Sequence, residues 1–223
     1  MSKKGETLLS FYFPLSSGEG DKGGEVSGRL QFWTEACHAT IICGVMISPE
    51  RPRVLISRQS IEALVGQLAA RIHKDYQNKP LLLVGVLKGS FIFLADLVRR
   101  LDLPVEIDFI GLSSYGADTE SSGKVKVTKP LCQPVTERHV LVVEDIVDTG
   151  HTLGFLLDFL RKKKPLSIKV CSLLDKPSRR EIHVPIDYVG FEVPNKFIVG
   201  YGIDWNEQYR CLPDIYFLER DPL

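Results

Sequence analysis

No charge of either sign predominates in this 223-residue sequence: 28 Lys and Arg balance 28 Asp and Glu. A neutral chain lacks the basic footprint expected of a general nucleic-acid binder. Long apolar runs are also missing. A stretch such as Ile41–Ile47, which contains Gly44, falls far short of the roughly 20 residues that cross a bilayer. Lys3 and Lys4 precede a Leu8–Leu15 stretch that Ser10 and Pro14 interrupt, and no cleavage site follows, so no signal peptide is expected. Cysteine is sparse. Cys37, Cys43, Cys132, Cys171 and Cys211 are scattered and odd in number, which argues against a disulfide framework and for reduced thiols in a cytoplasmic protein. Cys37–His38 with Cys43 has no fourth ligand nearby and makes a poor zinc site. No Gly-x-x-x-x-Gly-Lys-Ser/Thr loop occurs. Gly18–Gly23 does match Gly-x-Gly-x-x-Gly, but without the flanking strand and helix that a dinucleotide site needs.

What is present reads as an ordinary globular composition, 44% hydrophobic and 25% charged, of a length that suits one α/β domain. Residues 1–52 carry a Gly/Ser-rich patch and no sustained periodicity. They are expected to be an N-terminal extension, poorly ordered or the product of a start assigned upstream of Met46. From 53 to 223 the pattern changes. Val54–Ile56 precede a helix that Ser57 or Ser60 could cap, with Ile61, Leu64, Val65, Leu68, Ala69 and Ile72 along one stripe. Leu81–Leu87 is apolar throughout, as a parallel strand covered on both faces should be. Lys88–Gly89–Ser90 leads into a helix over Phe91–Leu101, and Val105–Phe109 is the next strand. Ser113–Gly123 is too polar to bury and reads as either a lid or a surface excursion. Further strands fall at Ile168–Leu174, Tyr188–Val189 and Phe197–Gly200. Alternating strands and helices predict a parallel sheet flanked by helices, whose sites gather beyond the carboxyl ends of its strands.

The most informative segment is Val140–Thr152. Four apolar residues deliver Glu144, Asp145 and Asp148 to a Thr149–Gly150–His151–Thr152 turn at the start of an amphipathic helix. Phe155, Leu156, Phe159 and Leu160 give that helix its expected apolar stripe, and Arg161–Lys164 close it before Pro165. Cations suit the negative end of the helix dipole, while free N–H groups beside Gly150 make a phosphate cradle at the other end. Glu144 and Asp145 could bind a sugar's hydroxyls or a magnesium ion, and Asp148 is placed to move a proton.

This segment is similar to the phosphoribosyl-pyrophosphate (PRPP) signature of the type I phosphoribosyltransferases. Together with Val86–Ser90, Ser113–Gly116, Leu174–Arg180, Tyr188–Pro194, Phe197–Asp204 and Glu207–Arg210, the chain resembles the hypoxanthine-guanine phosphoribosyltransferases over about residues 53–218. The resemblance implies the α/β fold of that family, with a small hood built from both ends of the domain. It implies that Glu144 and Asp145 hold the ribose hydroxyls directly or through magnesium, and that Asp148–Thr152 wrap the 5′-phosphate. Asp148 would be the general base, Lys176 the donor to a 6-oxo group, Phe197 the ring that stacks on the purine, and Ile198 the backbone that reads its edge. Asp204 would contribute to a second magnesium site and to binding the purine. Arg210 and Lys88–Gly89, a turn whose Lys-Gly peptide can be cis in the family, would hold pyrophosphate. Ser114 and Tyr115 would close over the centre. The expected partners are PRPP, an oxopurine and a second or further copies of the chain, in a homodimer or homotetramer, with neither nucleic acid nor membrane. A PRPP-sensing regulator on the same fold, or a transferase for xanthine or another base, is the alternative.

Overall fold

The computed structural model describes residues 52–114 and 125–218. The elements run β1 (Arg53–Ile56), α1 (Arg58–Tyr76), β2 (Leu81–Leu87), α2 (Phe91–Val98), β3 (Val105–Ser114), β4 (Val125–Lys129), β5 (His139–Val147) and α3 (His151–Arg161). They continue with β6 (Ser167–Asp175), β7 (Tyr188–Glu192), β8 (Phe197–Val199) and β9 (Ile215–Leu218). Six strands form one sheet in the order β4-β3-β2-β5-β6-β7. All neighbours in it are parallel except the edge pair β3–β4. The parallel α/β architecture expected from the sequence is therefore present, with one antiparallel edge strand added.

The period of two along β2 and β5 builds both layers of the core. Leu81 and Leu83 of β2, with Leu141 and Val143 of β5, turn toward α1 and α2, where they meet Ile61, Leu68, Phe93 and Leu97. Leu82 and Val84, with Val140 and Val142, turn the other way toward α3. Register fixes this division, since Leu82 pairs with Val140 and Leu83 with Leu141. Phe93 is fully buried, and Phe93→Ala should cost about 3–5 kcal/mol. The α1 stripe falls where the spacing predicts. Ser57 is the N-cap, its hydroxyl accepting from the Ser60 N–H at 3.3 Å.

A second, three-stranded antiparallel sheet, β1-β9-β8, joins the first strand of the domain to its last two. It is the small hood that the resemblance implies. Asp214 ties it to α1 by accepting the Arg58 N–H at 2.7 Å.

Four expectations need correction. The helix after Lys88–Ser90 ends at Val98, where Arg99, Arg100 and Asp102 follow, and not at Leu101. The strand predicted over Val105–Phe109 continues to Ser114, because β4 supplies it with an antiparallel partner. Ser113 and Ser114 therefore belong to a strand, while Tyr115 and the rest of that polar stretch lie outside the described residues. The buried stripe of α3 is Leu153, Leu156, Leu157 and Leu160. Phe155 and Phe159 are only half-buried and stack on each other with ring centres 6.4 Å apart. Residues 1–51 also lie outside the described set, and with them the expected extension.

Candidate active site

The predicted site residues whose side chains are described lie near the carboxyl end of β5, in the turns that follow β2, β5 and β6, at the start of β8, or in the connection between β8 and β9. The β5–α3 connection comes first. Gly150 has φ +92°, and a Cβ there would strike the Ile182 carbonyl. The tight turn leaves the first N–H groups of α3 without a side-chain cap. Ile182 and Glu181 brace the turn by donating their N–H groups to the Thr149 carbonyl at 3.0 and 2.9 Å. His151 Nε2 pairs with Glu181 at 2.7 Å.

Asp148 faces two cations through one oxygen: Lys176 Nζ and an Arg179 nitrogen each lie 3.5 Å from Oδ2. Its other oxygen, Oδ1, is buried with no hydrogen-bond partner. Lys176 is 5% exposed and also donates to the Lys196 carbonyl at 3.0 Å. A buried ammonium with one carbonyl and one distant carboxylate retains donor capacity. Arg180 fastens the strand ends from behind, donating to the carbonyls of Asp148 and Val147 at 3.0 and 3.1 Å and pairing with Asp175.

Asp148, Lys176, Phe197, Ile198, Ile203 and Asp204 line a cavity of about 170 Å³. Phe197 meets Trp205 edge to face at 6.4 Å, and Trp205 stacks on Tyr209 at 6.3 Å, so an aromatic wall follows β8.

Glu144 is 6% exposed, and its Oε2 has no partner. Burial, with the charge of Asp145 second, pushes its carboxyl well above the ordinary range. Asp145 is pushed up to about 6, chiefly by burial and also by Asp204, against backbone N–H groups and Arg210 that pull it down. Such carboxyls favour a cation or hydroxyl donors brought to them. Among the described residues no three or more His, Cys, Asp or Glu side chains gather into a metal cage. Carboxylates without a cage fit magnesium, which takes one or two from protein and fills its shell with substrate oxygens and water.

Gly89 packs directly on Asp145, for a Cβ there would collide with the carboxylate. Gly202, at φ +98°, packs in turn on the Gly89 carbonyl. Arg210 closes the group. It donates to the Gly202 carbonyl at 2.9 Å, pairs with Asp204 at 2.8 Å, and keeps a buried Nε without a partner. The cis peptide in this turn is Leu87–Lys88, one bond before the expected Lys88–Gly89.

The sequence reading left Arg179, Arg180, Gly202 and Glu207 without roles. Arg179 and Arg180 do follow Lys176 closely, and their cluster beside a strand end was the available signal.

Residues 56–206 match the phosphoribosyl transferase domain. The hypoxanthine phosphoribosyltransferase of Haemophilus influenzae is 49% identical over 71% of this chain and 90% of its own length. The hypoxanthine-guanine phosphoribosyltransferase of Bacillus subtilis is 46% identical over 78% and 97%. The chain belongs to the hypoxanthine-guanine phosphoribosyltransferase family. A crystal structure of the Staphylococcus aureus hypoxanthine phosphoribosyltransferase shares the fold at a TM-score of 0.72 and 43% identity, covering 75% of this chain and 91% of that one. Among the described residues no helix is long and apolar enough to cross a membrane.

Proposed function

We propose that this chain is a purine-salvage enzyme that transfers the 5-phosphoribosyl group of PRPP to hypoxanthine or guanine, giving IMP or GMP and pyrophosphate. What carries the proposal is the cavity in which buried Lys176 and Asp148 face the Phe197 wall. A 6-oxopurine fits its chemistry: the oxo group accepts from Lys176, the ring stacks on Phe197, and the Ile198 backbone reads the purine edge. Adenine presents an amino donor where Lys176 needs an acceptor, so it is rejected.

Asp148, through the oxygen that has no partner, takes the proton from the purine imidazole nitrogen as that nitrogen attacks the anomeric carbon. A carbon–nitrogen bond forms, the carbon–oxygen bond to pyrophosphate breaks, and the pair of electrons leaves with pyrophosphate. A positioned carboxylate base contributes about 10²–10⁴-fold to such a step. The turn Thr149–Gly150–His151–Thr152 holds the 5′-phosphate on the N–H groups at the start of α3. Lys88, Gly89 and Arg210 hold the pyrophosphate, and Glu144 and Asp145 the ribose hydroxyls. Glu144, Asp145 and Asp204 are the residues that would hold magnesium, which neutralises charge on the leaving pyrophosphate. Ser114 and Tyr115 are assigned to a lid that excludes water from the sugar cation. The domain is taken as 53–223, cytoplasmic and self-associated as a dimer or tetramer, a state that sedimentation would read directly.

The test is an assay with PRPP and magnesium that offers hypoxanthine, guanine, xanthine, adenine and uracil in parallel. Rapid IMP or GMP formation is expected, with adenine and uracil idle. Equal use of adenine would contradict the Lys176 assignment. Lys176→Met should raise KM for hypoxanthine by about 10–100-fold, the scale of one lost buried charged hydrogen bond.

A further inference from the structure

Glu207 stands between the two cations assigned above to pyrophosphate. Its Oε1 lies 2.9 Å from Lys88 Nζ and its Oε2 lies 3.2 Å from Arg210 Nη2. Each oxygen thus takes one cation, as the oxygens of a bridging phosphate would. The turn that presents this carboxylate is unusual. Trp205 and Gln208 pair across it, while Asn206 and Glu207 take φ +50° and +62°. That left-handed region is sparsely populated by residues with a Cβ and persists where the surroundings over-determine it. One surrounding contact is explicit: the Glu207 N–H donates to Asp204 Oδ2 at 2.8 Å. Asp204 in turn pairs with Arg210, which also donates to the carbonyl of Gly202, and Gly202 packs on Gly89. The loop that presents Glu207 is therefore built onto the same turn that presents Lys88. Lys88 and Arg210 also hold the Glu207 carboxyl below its usual range.

We propose that Glu207 is a built-in competitor of pyrophosphate, occupying Lys88 and Arg210 in the free enzyme and yielding them when a pyrophosphoryl group binds. This rests on the pyrophosphate role assigned to those two cations. Side-chain exposures of 64% and 65% for the Lys88–Glu207 pair make the exchange easy, since exposed ion pairs are weak and reopen readily. The swap has two consequences. It lowers affinity for both PRPP and pyrophosphate, because each must displace a carboxylate. It also gives the cations a ready partner as pyrophosphate leaves, which favours product release over retention.

The experiment compares wild type with Glu207→Gln and Glu207→Ala in the phosphoribosyl transfer assay, using inorganic pyrophosphate as competitive inhibitor against PRPP. The expected result is a 3- to 10-fold lower inhibition constant for pyrophosphate and a similarly lower KM for PRPP, the range that two exposed ion pairs allow. KM for hypoxanthine should not move. A general change in local charge is separated from direct occupancy by repeating Glu207→Gln in a Lys88→Met background, where direct competition predicts a smaller gain. Unchanged or weaker pyrophosphate inhibition in both single variants would overturn the proposal and leave Glu207 as a brace for its cations. Gains that are undiminished in the Lys88→Met background would overturn it as well. A wild-type protein that turns over no base with PRPP would instead remove the enzymatic reading on which it rests.

Discussion

Asp108 on β3 and Glu144 on β5 are carboxylates of almost equal burial, 5% and 6% exposed, on strands that both flank β2. Their surroundings differ completely. Asp108 accepts the N–H groups of Phe109, Cys132 and Gln133 at 2.7, 2.6 and 2.7 Å, and Lys129 lies 3.5 Å away. Burial alone would raise its pKa, yet those backbone donors and Lys129 outweigh burial and hold it below the ordinary value. Glu144 has an oxygen with no partner and a carboxyl pushed well above its ordinary value. Cost-free satisfaction marks Asp108 as a structural clamp that pins the 132–133 segment to the sheet edge. An unsatisfied buried carboxylate calls for a partner from outside the fold, and Glu144 lies in the strand end that leads to the Thr149–Thr152 turn proposed to hold the 5′-phosphate.

The largest effect of substitution is expected at the functional end. Asp148→Asn keeps the shape of the side chain and removes the proposed base, so kcat should fall by about 10²–10⁴-fold while the melting temperature changes little. Near-wild-type turnover in steady-state kinetics would remove Asp148 from the mechanism. Glu144→Gln should lower kcat/KM for PRPP by about 10–100-fold, the loss of one charged substrate contact, and leave thermal stability equal or higher. Asp108→Ala should do the reverse. Unfolding in urea should show a loss of about 2–3 kcal/mol, because the N–H groups of Cys132 and Gln133 lose their acceptor, with kcat of the folded protein unchanged.

Much of the functional end was legible because its signals are local. Glu144, Asp145 and Asp148 precede a Gly that permits the turn, and an apolar run identifies their strand. The clamp at Asp108 was not legible, since the donors from Cys132 and Gln133 lie 24 and 25 residues away. Strand β4 escaped for a related reason. Its alternating Val125–Lys126–Val127–Thr128–Lys129 follows a polar stretch, and it is an edge strand with one covered face. The α3 stripe was rotated because Phe155 and Phe159 on one side, and Leu153 and Leu157 on the other, both continue the Leu156–Leu160 row at helical spacing, and the sheet selected the leucine face. Strand β9 was not read from the sequence, and it is defined by its antiparallel pairing with β1 on one side and β8 on the other.

A smaller effect separates the two carboxylates by pH. Asp108 has a folded pKa below its unfolded value of about 3.8, so the unfolded chain binds the extra proton as acid is added. Its contribution is complete above pH about 4 and disappears as pH falls through the folded pKa. Thermal melts of wild type and Asp108→Asn should therefore converge in strong acid, separate as pH rises toward about 4, and keep a constant separation above it. Parallel curves across that range would show that Asp108 is no electrostatic clamp.

The most direct measurement of the contrast is calorimetric titration of PRPP, in magnesium buffer, into wild type, Glu144→Gln and Asp108→Asn. Wild type and Asp108→Asn should bind with the same affinity, and Glu144→Gln at least about 10-fold more weakly. Equal affinity in Glu144→Gln, or an equal loss in Asp108→Asn, would contradict the assignment of the unsatisfied carboxylate to substrate and the satisfied one to the fold.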